Sequence, residues 1–361
     1  MRPKVAVYAI AKNEEAHVGR WMDAVSEADG IFVADTGSSD RTVEMLRERG
    51  ASVTSISIDP WRFDAARNAA MALVPDDYEI LYVVDMDEVP EDGWARKIKD
   101  AWTGDVNLLE YTEVFSHRPD GAPAMTLPKR NIHNRDFVWR GPVHETLVPT
   151  PDKEVRLGRC QMTVHHWQDE GKPRGQYLPL LELAVAEAPA DDRMAYYYGR
   201  ELFYGGKWEQ ALAVLTRHAG MSTAWVPERA AGLCMIGECH AHLGHAIDAE
   251  AAFLRACGEH PRGREPWLAC ARFYLGSNNF AGAYWAGRRA LAVKTRLWSY
   301  IEEEASWREA PHDIISVAAW YLGHKSEARH HVNLAIMYAP WDRRIQNNHT
   351  MIEEIVAPES H

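Results

Sequence analysis

At 361 residues the chain is long for one hydrophobic core, so two domains are the natural expectation. A net charge of −12 and a pI near 5.8 argue against nucleic acid or an anionic membrane surface as the main partner. No apolar run approaches the roughly 20 residues that span a bilayer, and the five cysteines lack paired C-x-x-C spacing, which suits reduced thiols in a cytoplasmic protein.

The charged start at Lys4 leads into a short apolar run ending at Ile10, which reads as a first strand and not as a signal peptide. Glu15 to Ser26 places Val18, Trp21, Met22 and Val25 at helical spacing. Gly30 to Asp35 is a second strand that ends in an acid. The turn Thr36-Gly37-Ser38-Ser39-Asp40 follows, then a helix through Val43, Met45 and Leu46 that stops at Gly50. A third strand is expected over Ala51 to Ile58, a helix over Phe63 to Leu73, and a fourth strand over Ile80 to Val84. This alternation predicts an α/β domain with a mostly parallel sheet between helices.

The fourth strand runs straight into Asp85-Met86-Asp87-Glu88. Ligands of open α/β sheets bind beyond the carboxyl ends of the strands, where these acids stand. On extended chain Asp85 and Asp87 would point the same way and offer two hard oxygen donors to a divalent cation. Beyond a helix at Gly93 to Trp102 the alternation stops. Strands over Asn107 to Phe115 and Met125 to His133 flank the turn Pro119-Asp120-Gly121, a loop runs from Trp139 to Glu145, and a last strand covers Arg159 to His166.

From about Gln176 onward alanine-rich helical periodicity takes over. Pro261, taken as the terminal proline of a 34-residue tetratricopeptide pattern, brings Ala256, Phe253, Ala249 and Gly237 onto the small and aromatic positions. Ala211, Ala249, Ala283 and Ala328 then recur at intervals of 38, 34 and 45 residues, the last with room for an insertion around Trp298 to Pro311. Asp191 to about Asn348 is therefore read as four helix pairs, each burying its apolar face against its neighbours.

In the first half, Asp35, the turn after it, Ala66-Arg67-Asn68 and the acidic cluster belong to one α/β unit, and parallel strands bring Asp35 and the cluster to one edge. A strand-end acid can accept from a base or ribose, a cation on the other acids can bind a diphosphate, and the Arg67 fork suits phosphate or a base carbonyl. The chain has no G-x-x-x-x-G-K-[ST] loop and no glycine-rich dinucleotide fingerprint. The residues Ala11-Lys12-Asn13-Glu14-Glu15, Val33 to Thr42, Trp61 with Phe63 to Asn68, and Val84 to Glu88 resemble, in order and spacing, a family 2 glycosyltransferase of the GT-A fold. The chain is similar to the subgroup with a tetratricopeptide-like extension, which includes peptide S-glycosyltransferases.

That resemblance implies hexosyl or N-acetylhexosaminyl transfer from a UDP-, GDP- or dTDP-sugar, UDP before the others, with Mn2+ or Mg2+ at the diphosphate. It places Asp35 on the nucleoside, Ala9 and Ala11 along the base pocket through their backbone, and Arg67 near the base or diphosphate. Asp85 falls near the ribose, Asp87 on the metal, and His166, in preference to its neighbour His165, on the metal as well. The loop Trp139-Arg140-Gly141-Pro142-Val143-His144-Glu145 is similar to the acceptor side, with Glu145 or His144 as base. The E-D pair that supplies the base in the commonest family pattern is not recognisable here. The implied domains are a catalytic unit over 1–170, a connecting helix over 171–190 and repeats over 191–361. The repeats would recognise a peptide, protein or glycan acceptor, or pair two chains as a homodimer.

Two rivals lie outside that reading: a tetratricopeptide scaffold whose first domain only binds a nucleotide, and nucleotidyl transfer, which lacks its glycine- and arginine-rich activating loop. His218, His240, His242, His245 and His260 are spread over several helices and loops, so a second metal site is not expected.

Overall fold

Strand β1 (Val5–Ala11) is apolar throughout because both of its faces are covered. Val5, Val7, Ala9 and Ala11 pack with Trp21, Met22, Ile80 and Tyr82 on one side. Ala6 and Tyr8 pack with Ala34, Ala70, Leu81, Val83 and Trp139 on the other. The computed structural model describes residues 3–117, 121–167, 177–297 and 299–356. It divides into two units, Met1–Ala184 and Val185–His361.

The first unit carries an eight-stranded sheet. Its order is β3 (Ser52–Ser55), β2 (Gly30–Asp35), β1, β4 (Ile80–Val83), β7 (Pro123–His133), β6 (Leu108–His117), β10 (Leu157–His166) and β5 (Glu88–Pro90). Helices α1 (Glu15–Ala24), α2 (Thr42–Glu48) and α3 (Phe63–Ala72) make the first crossovers, and α4 (Trp94–Ala101) follows β5. The first four strands are parallel as expected. The sheet as a whole is mixed: β6 and β10 also pair parallel, so four of its seven pairings are parallel as expected, and three are antiparallel. β6 and β7 pair antiparallel, β7 lies antiparallel to β4, and β5 closes the edge antiparallel to β10. For β6 and β7 the reason is the connection: with only five residues between His117 and Pro123, the two strands can pair only in opposite directions. Of that turn, Pro119 and Asp120 lie outside the described residues. A separate hairpin, β8 (Phe137–Arg140) with β9 (Thr146–Pro149), covers the Tyr8 face of the sheet through Trp139.

Helix α5 (Tyr177–Glu187) carries the chain onward. The second unit is helical. The helices are α6 (Asp192–Tyr204), α7 (Trp208–Ala219), α8 (Val226–His242), α9 (Ala246–Glu259), α10 (Arg264–Gly276), α11 (Phe280–Ala292), α12 (Glu309–Tyr321), α13 (Lys325–Tyr338) and α14 (Arg343–Val356). No helix among the described residues is long and apolar enough to cross a membrane. Within each of the four pairs the turn holds a left-handed residue: Gly206, Gly244, Asn278 and Gly323, with φ of 68°, 80°, 59° and 82°. Each lies five positions before one of the recurring alanines, so turn and packing position repeat with the same unequal spacing. The widened interval holds a 3-10 turn at Glu304–Trp307.

The small residues sit where helices cross. Ala211, Ala249, Ala283 and Ala328 are fully buried. A Cβ on Gly199 would stand 2.5 Å from Leu215 Cδ2, whereas one on Gly258 would meet nothing within 4 Å. Gly199→Ala should therefore lose about 1 kcal/mol, because overpacking of roughly 1–3 kcal/mol exceeds the helix-propensity gain of about 1. Gly258→Ala should gain roughly 0.5–1 kcal/mol. Equal signs for the two in urea unfolding would contradict this packing.

Candidate active site

The residues singled out from sequence collect at one edge of the sheet. β1, β2 and β4 are parallel, and two antiparallel steps through β7 bring β6 and then β10 back to the same direction. The carboxyl ends of β1, β2, β4 and β10 therefore share an edge, which holds Ala11, Asp35, Asp85-Met86-Asp87 and His166.

At β2, the Asp35 carboxylate accepts from the backbone N–H groups of Gly37 at 3.3 Å and Ser38 at 3.1 Å, and so ties the turn into α2. Gly37, with φ of 102°, is needed for that turn. Ala11 pairs with Asp35, and its carbonyl accepts from Thr36 N at 2.9 Å. Ala9 is paired with Val33 inside the ladder.

β4 ends at Val83, and the chain turns at Met86 and Asp87 before Glu88 opens β5. Across this turn Glu88 N donates to Asp85 O at 2.9 Å and Asp85 N to Glu88 Oε2 at 3.2 Å. The extended chain on which Asp85 and Asp87 were expected to point the same way is replaced by this turn, and the two carboxylates have different partners.

Asp85 goes to Arg67. The guanidinium donates from Nη1 and Nη2 to both Asp85 oxygens at 2.8 and 3.0 Å, and from Nε to Glu145 Oε1. Arg67 also lies 5.1 Å from the Trp139 ring. Burial alone would raise the Asp85 carboxyl, but the charge and hydrogen bonds of Arg67 hold it well below the carboxylate range. Helix α3 positions this group with one face. Asp64 accepts from Gly141 N at 3.0 Å, and Asn68 exchanges two 2.9 Å hydrogen bonds with the Trp139 backbone. Asp64, Arg67 and Asn68 thus grip one stretch of chain, the spacing of three and four being that of a helix face. His144, in that loop with φ of 49°, stacks 6.2 Å from Tyr177.

Asp87 goes to His166, with Oδ2 3.3 Å from Nε2. His166 Nδ1 is shielded from solvent with no partner among the described residues. Burial disfavours its protonation, yet the hydrogen bond and charge of Asp87, with Glu88 and Glu113 behind it, raise its pKa. His165 turns away, meeting His117 Nε2 through its own Nδ1 at 2.9 Å. Below the acidic turn Lys129 links Glu88 and Glu113, 2.6 Å from the latter. Sequence reading missed Lys129, because a lysine in an alternating strand looks solvent-facing.

A directed hydrogen-bond chain lies under Trp139. Asn134 O can only accept, so His133 Nδ1 is the donor at 2.7 Å, and His133 Nε2 must accept from Tyr8 Oη at 2.7 Å. Tyr8 Oη in turn accepts from Trp139 Nε1 at 2.7 Å. Burial pushes the His133 pKa down to about 4 from 6.5, and a second proton, on Nε2, would displace the O–H that Tyr8 donates there. The native state therefore binds this proton less well than the unfolded chain, so the contribution is complete above 6.5 and is lost as pH falls toward 4. His133→Gln should shrink the stability difference between pH 7.5 and pH 5 by about 2 kcal/mol. An unchanged difference in urea unfolding at the two pH values would refute the neutral assignment.

With this geometry in place, comparison with known proteins is informative. Residues 7–146 match the model of glycosyl transferase family 2. A TPR repeat-containing protein of Synechococcus elongatus is 24% identical over 319 residues, covering 80% of this chain and 75% of that protein. Among solved structures, a thermophilic TPR protein of Thermus thermophilus is 18% identical over 48% of this chain and 88% of its own, with a TM-score of 0.37. PilF of Pseudomonas aeruginosa is 13% identical over 48% and 72%, with a TM-score of 0.39. The chain therefore joins an N-terminal domain like those of family 2 glycosyltransferases to a C-terminal region of tetratricopeptide-like helical repeats.

Proposed function

We propose that the chain is a metal-dependent, inverting glycosyltransferase that moves a hexosyl or N-acetylhexosaminyl group from a nucleotide-diphosphate sugar, UDP-linked by preference, to a peptide or protein acceptor. The carrying observation is the convergence of Asp87 with His166, and of Arg67 with Asp85 and Glu145, at one sheet edge of a family 2-like domain. The donor set fits Mn2+ or Mg2+. Asp85 is committed to Arg67, which leaves one carboxylate and one imidazole as protein ligands and the remaining positions to diphosphate oxygens and water. When bound, that ion would neutralise charge on the departing diphosphate.

In this reading Asp35 and the Ala9 and Ala11 backbone border the nucleoside, and Asp85 meets the ribose while it fixes Arg67. Glu145, with Oε1 held by Arg67, takes the acceptor's hydroxyl or thiol proton through Oε2. The acceptor oxygen or sulfur then bonds to the anomeric carbon as the bond to the diphosphate breaks on the opposite face. His144 is the alternative base in the same loop. The catalytic part is assigned to residues 1–170, a connecting helix to 171–190 and acceptor recognition to 191–361, whose repeats suit an extended partner. Pairing of two chains through the repeats is the second use of that surface.

A thermal-shift panel of UDP-, GDP- and dTDP-sugars, each with and without Mn2+, tests the reading. One donor at about 100 times its Kd, with Mn2+ present, should add about 2.7 kcal/mol to the unit that binds it. No shift with any donor would sink the proposal. A shift without release of nucleoside diphosphate on acceptor addition would favour the nucleotide-binding scaffold.

A further inference from the structure

The helical unit contains a cluster that the glycosyl-transfer reading does not use. His240 lies in the last turn of α8, and the chain reverses through Gly244. His245 N donates to His240 O at 2.8 Å across that reversal, and His245 itself caps α9. Asp248 stands in the first turn of α9. The outcome is that one ligand atom each of His240, His245 and Asp248 lie within 4.8 Å of one another. The two imidazole centroids are 5.8 Å apart. His240 Nδ1 is shielded from solvent and has no hydrogen-bond partner among the described residues, so this imidazole is not fully committed within the fold.

We propose that His240, His245 and Asp248 bind a Zn2+ ion at the α8–α9 turn, with water in the fourth position. Two imidazoles and one carboxylate are a borderline donor set that suits zinc better than magnesium or calcium. Tetrahedral coordination at about 2.0–2.2 Å puts donors roughly 3.4 Å apart. Closing from 4.8 Å to that spacing falls to the side chains, which exposure leaves room to rotate at His245 and Asp248, while backbone hydrogen bonds hold the turn. His242, two residues from His240, stacks 4.3 Å from Trp208 and takes no part. The sequence spread of these histidines suggested no shared site. The left-handed glycine folds H-x4-H-x2-D back upon itself and brings them together. The ion would clamp the end of one helix to the start of the next.

The test uses the full chain carrying Asp87→Asn and His166→Asn, which removes the imidazole–carboxylate pair of the candidate active site, so its result does not depend on the catalytic proposal. Zn2+ is titrated in competition with a chromophoric chelator. The parent should bind one equivalent. Removing an outer-shell partner of a metal site costs 10–100-fold, so His245→Ala or Asp248→Ala, which delete a ligand itself, should weaken binding at least about tenfold. Both residues are exposed, so the variants should melt with the parent in metal-free buffer. Zn2+ should raise the melting temperature of the parent and not of the variants. A parent that binds no Zn2+, or variants that bind it as tightly as the parent, overturns the proposal.

Discussion

Arg67→Ala is expected to destabilise the N-terminal unit by roughly 3–5 kcal/mol, the range found when one partner of a buried ion pair is deleted. The arginine side chain is 11% exposed and stands between Asp85 and Glu145, the latter only 9% exposed. Its removal leaves the buried Glu145 carboxylate and the partly exposed Asp85 carboxylate without their shared cation and strips the guanidinium from the Trp139 ring. The cost comes from unpaired charge more than from lost contacts. Arg67→Met with Glu145→Gln should therefore recover part of the loss, while Arg67→Met alone should not. Urea unfolding at pH 7 measures both. A loss under about 1 kcal/mol for Arg67→Ala would mean that water replaces the pairing and that the trio is a surface feature. Acid should mimic the deletion. The Asp85 carboxyl is depressed in the folded state, so its contribution is present above the unfolded value near 3.8 and is lost as pH falls below it.

The double engagement of Arg67 was not readable from sequence, although the residue itself was. Its motif, Phe63 to Asn68, advertised a helix face. The acids near it in sequence are taken: Asp64 pairs with Arg62 at 2.9 Å, and Asp40 serves the Thr42 N–H at 3.0 Å. The partners that Arg67 does meet arrive from positions 18 and 78 residues away, and only tertiary packing brings them there. Periodicity, by contrast, is local. β1 and β2 were legible because burial on both faces leaves an unbroken apolar run, and the helix pairs were legible because crossing helices demand alanine or glycine at fixed places. β5 was invisible for the same physical reason. It is three residues long, and Glu88-Val89-Pro90 carries neither period, its pairing with β10 being decided by the partner strand. The acidic turn shows the limit most clearly. Alternation placed Asp85 and Asp87 side by side, but alternation holds only while the strand lasts, and it ends at Val83.

That separation decides the second large effect. Asp87→Ala should lower Mn2+-dependent turnover about a thousandfold, the rate equivalent of some 4 kcal/mol of charge stabilisation at the departing diphosphate. Asp87 pairs with His166 and not with the Arg67 trio, and both side chains are partly buried, so the unfolding free energy should fall by about 1 kcal/mol, well short of the Arg67→Ala loss. Asp85→Asn makes the opposite contrast, since it breaks a bidentate pair with a buried arginine and should cost stability first. Glu145→Gln supplies the third arm. It keeps a hydrogen-bond acceptor for Arg67 Nε but no base, so donor binding should hold while transfer falls about 10²–10⁴-fold. If Asp87→Ala turns over normally with Mn2+ present, the metal assignment fails. If Glu145→Gln instead weakens donor binding and leaves turnover intact at saturating donor, Glu145 is a positioning residue for Arg67, and the search for the base moves to His144, one residue earlier in the same loop.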